Sequence, residues 1–358
     1  MKRATSSDIF VNARFLTQRT TGVQRYAIEI SKRLKKMRPS IRFLTPKGVV
    51  HEALAKALDA EVITGGTGPV WEQLVLPKRA RGSRLINMCN SAPLFYPRQI
   101  VVVHDAAVYA VPGAYSRPFT LWYRTMHAVL ARGKSKLLTV SQFSRTELCK
   151  YLPLLPEDIN IVSPSAEHIV AVETDESILD RLCLRQRPFL LAVGSRSPHK
   201  NFERLNRALS ALGKVEFETV VVGLANRKVH AGESEAVRCD NLRYVGFVSD
   251  AELAALYAEA DAFIHPAYYE GFGIPPIEAM VQGCPVICSQ AASLPEICQD
   301  AAIYFDPFCE RDIRTKVTRL MSDSALRVTM RERGLERAAA FSWENSAEHI
   351  LEHAEALD

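Results

Sequence analysis

Short apolar runs alternate with helix-like stretches along the whole chain, and this alternation limits the possible fold more than any other feature. In the first half the runs are DIFVNARFL, RFLTP, EVIT, RLINMC, QIVVVHD, KLLTVS and INIVS. In the second half they are FLLAVGS, FETVVVG, LRYVGF, DAFIHP, PVICSQ and AAIYF. Between them lie stretches such as DAELAALYAEA and GVQRYAIEISKRLKK, in which Val23, Tyr26, Ala27, Ile30 and Leu34 share one helical face. Strands this apolar, separated by helices, are expected to be parallel and covered on both faces. Single domains usually stop growing well short of 358 residues, so the two series imply two α/β domains. The first is expected at 1–170, followed by an acidic, strandless linker at 171–187 and a second domain at 188–340. A closing amphipathic helix at 341–358 opens on Ser342 as N-cap.

Charge separates the two halves. The formal net charge is +5, but residues 1–170 hold 25 Lys and Arg against 11 Asp and Glu, whereas the remainder holds 20 against 29. The basic residues gather at Lys32, Arg33, Lys35, Lys36 and Arg38, and again at Arg132, Lys134 and Lys136. Such clusters are either solvated helix faces or a surface for an anionic partner. Neither is interleaved with aromatic residues for base stacking, which disfavours nucleic acid and leaves an anionic membrane as the partner to expect. No apolar run approaches the ~20 residues needed to span a bilayer, and MKRATSSDIF lacks the apolar core of a signal peptide. The expectation is a cytoplasmic protein with peripheral contact at the inner face of the membrane. Eight scattered cysteines without a CxxC pair argue for reduced thiols rather than a zinc site or a disulfide framework.

The chemistry concentrates at strand ends. There is no GxxxxGK[ST], and GGTG at Gly65–Gly68 lacks the third glycine of the dinucleotide fingerprint, so P-loop and nicotinamide chemistry are not expected. IVVVHDAA ends a strand on His104 and Asp105, a place that suits either a structural histidine or one that meets a ligand. Thr21 and Gly22 precede a helix and can offer backbone N–H groups to an anion. After the strand FLLAVG come Arg196, His199 and Lys200, which form either a phosphate-binding turn or a solvated basic one. In HPAYYEGFGIPPIEAM, Pro275 and Pro276 are tolerated only at a helix start. Glu270 therefore lies in the preceding loop and Glu278 in the first turns. Between them Gly271, Phe272, Gly273 and Ile274 can present N–H groups. Two carboxylates flanking an amide-lined anion pocket describe a site for ribose, diphosphate and hexose.

The stretch YYEGFGIPPIEAMVQGCPVICSQAASLPEICQDAAIYFDP resembles the E-x7-E region of retaining glycosyltransferases of family 4. The likeness extends to TTGVQRYAIEI, VVVHDAAVYAVP, VSQFSRTEL, VGSRSPHKN and NLRYVGFVSDAELAALYAEADAFIHP, nearly the whole chain. The resemblance implies the GT-B fold, an α/β architecture of two facing Rossmann-like domains with an interdomain cleft. It implies that Glu278 holds the donor ribose, that Glu270 holds donor-sugar hydroxyls near the reacting carbon, and that Arg196 and Lys200 meet the diphosphate. By the same resemblance His104 touches the donor sugar, Gly22 borders the phosphates, and the backbone at Phe247 and Val248 flanks the base. Two positions depart from the pattern. Ser195 stands where arginine is frequent, with Arg196 one place later, and Ala267 stands where serine is frequent.

The function so implied is metal-independent, retaining transfer of a hexose from a nucleoside diphosphate sugar to a hydroxyl, with no cofactor beyond that co-substrate. TTGVQRYA and WEQLVLP resemble bacterial mannosyl- and rhamnosyltransferases of surface-polysaccharide assembly, including O-antigen, capsule and exopolysaccharide. That subtype favours GDP-mannose as donor and a saccharide or lipid-linked oligosaccharide as acceptor. The rival readings are a GT-B epimerase or phosphorylase, told apart by product analysis, and a non-catalytic nucleotide-sugar-binding protein, which would release no diphosphate.

Overall fold

The computed structural model describes residues 8–111, 113–195, 197–223 and 242–357. The chain divides into two compact units, Met1–Pro164 with Trp343–Asp358, and Ser165–Ser342.

The first unit carries a seven-stranded sheet built from β1 (Ile9–Asn12), β2 (Arg42–Thr45), β3 (Glu61–Val62), β4 (Arg84–Asn87), β5 (Gln99–Val102), β6 (Lys136–Thr139) and β7 (Asn160–Ile161). Its order is β3-β2-β1-β4-β5-β6-β7, and neighbours pair in parallel throughout. All four residues of β1 and of β5 are buried, which is what helices on both faces require. The helix Gly22–Met37 packs by Tyr26, Ala27, Ile30 and Leu34, four of the five residues expected on that face. It also buries Glu29, which is met by Lys32 at 2.7 Å and Arg33 at 2.8 Å.

The second unit holds β8 (Phe189–Val193), β9 (Glu218–Val222), β10 (Leu242–Gly246), β11 (Ala262–His265), β12 (Val286–Ser289) and β13 (Ala302–Phe305). Their order is β10-β9-β8-β11-β12-β13, again wholly parallel. Each sheet therefore runs 3-2-1-4-5-6 in its own count, with one extra edge strand in the first. Both units are Rossmann-like, and each order reverses at one place, between β1 and β4 and between β8 and β11. The helix Asp250–Glu259 starts on a reciprocal cap, Glu252 N–H to Ser249 Oγ at 3.1 Å and Ser249 N–H to Glu252 Oε2 at 2.8 Å.

The stretch expected as a linker, 171–187, is instead part of the second unit. It contains the helix Ser177–Arg181, and Ile178, Leu179, Leu182 and Leu184 are buried. Its acidic residues face water while these four apolar side chains hold it down. The helix Trp343–Glu355 belongs to the first unit, where the Trp343 ring meets the Tyr26 ring edge-on with centroids 5.7 Å apart. Among the described residues no helix is long and apolar enough to cross a membrane.

Trp343 is fully buried, so Trp343→Ala should lower the stability of the first unit by about 3–5 kcal/mol. Denaturant unfolding followed by a probe in that unit checks this, and an unchanged midpoint would show that the helix is not part of its core.

Candidate functional site

Parallel strands deliver their chains to one edge, and a break in strand order leaves a crevice there. In the second unit the flanking strands are β8 and β11. After β8 the chain passes Gly194 and reaches the turn Pro198–Lys200; after β11 it passes Pro266 and reaches Glu270. The two loops are tied together by Tyr268 N–H to the His199 carbonyl at 2.9 Å, and by Asn201 Nδ2 to the Pro266 carbonyl at 3.1 Å. A Cβ on Gly194 would lie 2.8 Å from the Phe202 ring, so only glycine lets the first loop pass this close. The outcome is a direct ion pair between Lys200 Nζ and Glu270 Oε2, each side chain 18% exposed.

His265 Nε2 lies 3.4 Å from the same Glu270 oxygen, and His265 itself is 1% exposed. Burial tends to raise the Glu270 carboxyl, but the Lys200 charge and the His265 contact outweigh it and hold it well below the usual carboxylate range. Burial pushes His265 down, and burial together with the Lys200 charge pushes His199 down to about 4. Both imidazoles are therefore neutral at physiological pH. The cluster is one carboxylate, one ammonium and two neutral rings. Lys200 has three N–H donors, so the pairing leaves it able to meet a second anion.

Glu278 sits on the helix Ile274–Val281 and is 7% exposed. His168 Nε2 approaches its Oε1 at 2.9 Å and the Tyr257 hydroxyl donates to its Oε2 at 3.0 Å. Each carboxylate oxygen is thus oriented by a partner from another element. The helix begins at Gly273, whose φ of +100° is closed to most side chains. A Cβ there would also come within 2.9 Å of Leu294. The Ser293 hydroxyl lies 2.9 Å from the carbonyls of both Glu270 and Phe272, fixing the loop from below. With Pro275 and Pro276 lacking N–H groups, the donors at this helix start are those of Gly271–Ile274.

Phe247, 63% exposed, and Val248 follow β10 just ahead of the Ser249 cap. Arg196 lies outside the described residues. Gly22 opens the helix Gly22–Met37 in the first unit and is exposed. His104, also in the first unit, is 8% exposed and follows β5. Its Nε2 faces the Met88 carbonyl at 2.8 Å, so that nitrogen carries the proton. Burial pushes His104 down to about 4, which leaves Nδ1 as the unprotonated acceptor. Of the basic cluster near the helix end, Lys32 and Arg33 are on Glu29, Lys35 is 2.7 Å from Asp59, and Arg38 pairs with Glu355. Much of that charge is neutralised in place. Among the described residues no group of three or more His, Cys, Asp or Glu could hold a metal ion.

Sequence reasoning did not assign His265, His168, Tyr257 or Ser293 to the site. His265 had a visible signal, a histidine closing an apolar strand five residues before Glu270. The other three reach the site through the fold and had none.

The pairing makes a testable statement about stability. Glu270 has a depressed folded pKa, so it contributes stability above its ordinary value of 4.5, lost as pH falls through the folded one. Lys200→Met removes the opposing charge and burial then raises the carboxyl. The loss of melting temperature relative to the parent should be largest at neutral pH and shrink as pH falls toward 4.5. A loss that is constant with pH would show that the two groups are not electrostatically linked.

The family description "Glycosyl transferases group 1" matches residues 181–337. The O-antigen chain mannosyltransferase B of Escherichia coli is 30% identical over 263 residues, which is 69% of this chain and 68% of that protein. The serotype-specific mannosyltransferase WbdA of Escherichia coli is 29% identical over 229 residues, 60% of this chain but only 28% of that longer protein. Among solved structures, Anabaena Alr3699/HepE in complex with UDP and glucose superposes with a TM-score of 0.77 at 18% identity, covering 98% of this chain and 100% of that one. The shared architecture is that of the GT-B glycosyltransferases. On these grounds the chain belongs to the group 1 glycosyl transferases.

Proposed function

We propose that this protein is a retaining mannosyltransferase that moves mannose from GDP-mannose to a hydroxyl of a saccharide acceptor, carried on a lipid, during assembly of a bacterial surface polysaccharide. The observation that carries the reading is the placement of Glu270 and Glu278 on either side of the Gly271–Ile274 amides, with Lys200 on Glu270. Support for the sugar comes from the Escherichia coli relatives, whose names are those of mannosyltransferases. Glu278, already positioned by His168 and Tyr257, would accept from the ribose hydroxyls. The Gly271–Ile274 amides and Lys200 would meet the diphosphate as its charge grows on bond cleavage, where fixed donors stabilise it most. Glu270, held ionised, would accept from hydroxyls of the transferring sugar and favour the oxocarbenium character that glycosyl transfer develops. In the retaining reaction so proposed, the departing diphosphate oxygen takes the acceptor proton, and no side chain has to act as nucleophile. Because the leaving-group charge is met by Lys200 and backbone amides, no metal is needed in this scheme.

Three outcomes are expected. GDP-mannose should raise the melting temperature saturably and more than UDP-sugars or dTDP-rhamnose do. Glu278→Gln should raise the donor Kd with little change in kcat, whereas Glu270→Gln should keep donor binding and lower kcat by about 100-fold. Transfer should survive excess EDTA. If chelation abolishes activity and Mn²⁺ restores it, the role given to Lys200 is wrong, and if no nucleotide sugar shifts the melting curve, the whole assignment fails.

A further inference from the structure

Glu270 is held by groups of unequal rigidity. It lies in a loop itself, and Lys200 reaches it from the turn Pro198–Lys200 on a flexible four-carbon stem. His265 alone among the three stands on the sheet, as the last residue of β11. All four residues of that strand are buried, and a parallel strand covered on both faces calls for apolar side chains, so an imidazole here needs a reason. Its ring stacks on that of Phe263, two residues back on the same face, with planes 24° apart and centroids 6.1 Å apart. Packing therefore fixes the ring where it meets the carboxylate.

The bonds of the ring are one-sided. Nε2 lies 3.4 Å from Glu270 Oε2, whereas Nδ1 is buried and has no hydrogen-bond partner among the described residues. A proton on Nδ1 would be a buried donor without an acceptor and would turn the Nε2 lone pair on a carboxylate, so the proton belongs on Nε2. An apolar side chain of the same size would avoid the unpaired Nδ1 altogether, and stability therefore does not ask for histidine. Lys200 Nζ is on the same Oε2. Among the described residues nothing is paired with Oε1, and the Glu270 side chain is 18% exposed, which makes Oε1 the oxygen open to a ligand.

We propose that His265 is a positioning residue for the transfer: through its Nε2–H it holds Glu270 Oε2 to the end of the sheet, so that Oε1 is turned to the hydroxyls of the transferring sugar. What Oε1 meets rests on the transferase reading above, but the hold itself does not. A diphosphate bound to Lys200 would divide that cation between two anions, and His265 then keeps the carboxylate in place. Its neutrality suits this use. Burial pushes the imidazole down, so it supplies a donor without a second positive charge that would compete with Lys200 for the diphosphate. A separation of 3.4 Å is long for a hydrogen bond, and bonds at reacting centres tighten as the substrate complex forms. A carboxylate displaced by about 1 Å at a reacting carbon is costly in rate, and an anchor on the sheet guards against that displacement better than one on a turn.

The hold is read directly by proton–nitrogen correlation NMR of the full chain with isotope-labelled histidine, the His265 signals being assigned by their loss in His265→Gln. At neutral pH they should report a neutral ring with its proton on Nε2, and they should move in Glu270→Gln. The use of the hold is read by kinetics. His265→Met, apolar and of similar size, should keep the melting temperature and leave the GDP-mannose Kd within about 2-fold, while kcat falls about 10-fold, the worth of one hydrogen bond to a charged group. His265→Gln, which can return an N–H near the place of Nε2, should recover most of that loss. A residue that only fills the strand would show the reverse, with methionine at least as good as glutamine. A proton on Nδ1, a His265→Met that turns over like the parent, or a His265→Gln as slow as His265→Met overturns the role. A parent that transfers nothing from any nucleotide sugar removes the transferase reading, and the histidine spectrum still decides whether His265 holds Glu270.

Discussion

A carboxylate kept away from water has to be met by a cation or by donors, and in this protein one such carboxylate stands where the strand order of each sheet reverses. In the second unit Glu270 would be pushed toward its neutral form by burial, and the ammonium of Lys200 together with the His265 contact keeps it charged. In the first unit Glu72 is closer still to full burial and depends on Arg14, Asn12 and Ser91. Neither loop after β8 nor loop after β11 could keep its path if the other moved, because the charge on one is the partner of the charge on the other. The positions of Tyr268, His199 and Asn201, whose bonds tie the same two loops, follow from that mutual need.

Three histidines, two in the second unit and one in the first, add no positive charge. His104, His199 and His265 are all held neutral by burial, so each can donate through one ring nitrogen and accept through the other without adding a positive charge. Among the described residues of the second unit's cluster, Lys200 is then the one cation, beside fixed dipoles of the backbone. The left-handed turn at Gly273 and the Ser293 hydroxyl below it serve the same end, since they orient the amides that the two prolines cannot supply.

Among the described residues the thirteen strands lie within runs that were legible as apolar segments, and for central strands such as β1, β5, β11 and β12 the reason is that a strand buried on both faces needs little more than its own composition to be seen. Glu270, Glu278 and Lys200 were legible singly, from the helix start that the prolines enforce and from the turn after a strand. Their partners were not. Lys200 and Glu270 are seventy positions apart and His168 and Glu278 a hundred and ten, and no local spacing encodes such contacts. The acidic stretch before β8 concealed a helix because its four buried apolar residues are outnumbered by polar ones. The lysine-rich end of the helix Gly22–Met37 suggested a free positive surface, but Glu29, Asp59 and Glu355 come to it from the same helix, a neighbouring loop and the far end of the chain. A charge count along the sequence cannot see neutralisation that the fold supplies.

The return of Trp343–Asp358 to the first unit makes the second unit an insertion within it. During synthesis this reverses the usual order of events, in which the amino-terminal domain folds before the next one emerges. Residues Ser165–Ser342 form one uninterrupted stretch and can close their core as soon as they clear the ribosome. The first unit has to wait, with Tyr26 lacking the indole of Trp343 and Arg84 lacking the Leu357 carbonyl that its Nε reaches at 3.0 Å. At elongation rates of about 5–20 residues per second that interval lasts on the order of ten seconds or more. The nascent chain therefore carries an unfinished apolar face for most of its birth, and a message cut short anywhere after Pro164 would yield a product whose first unit cannot be completed.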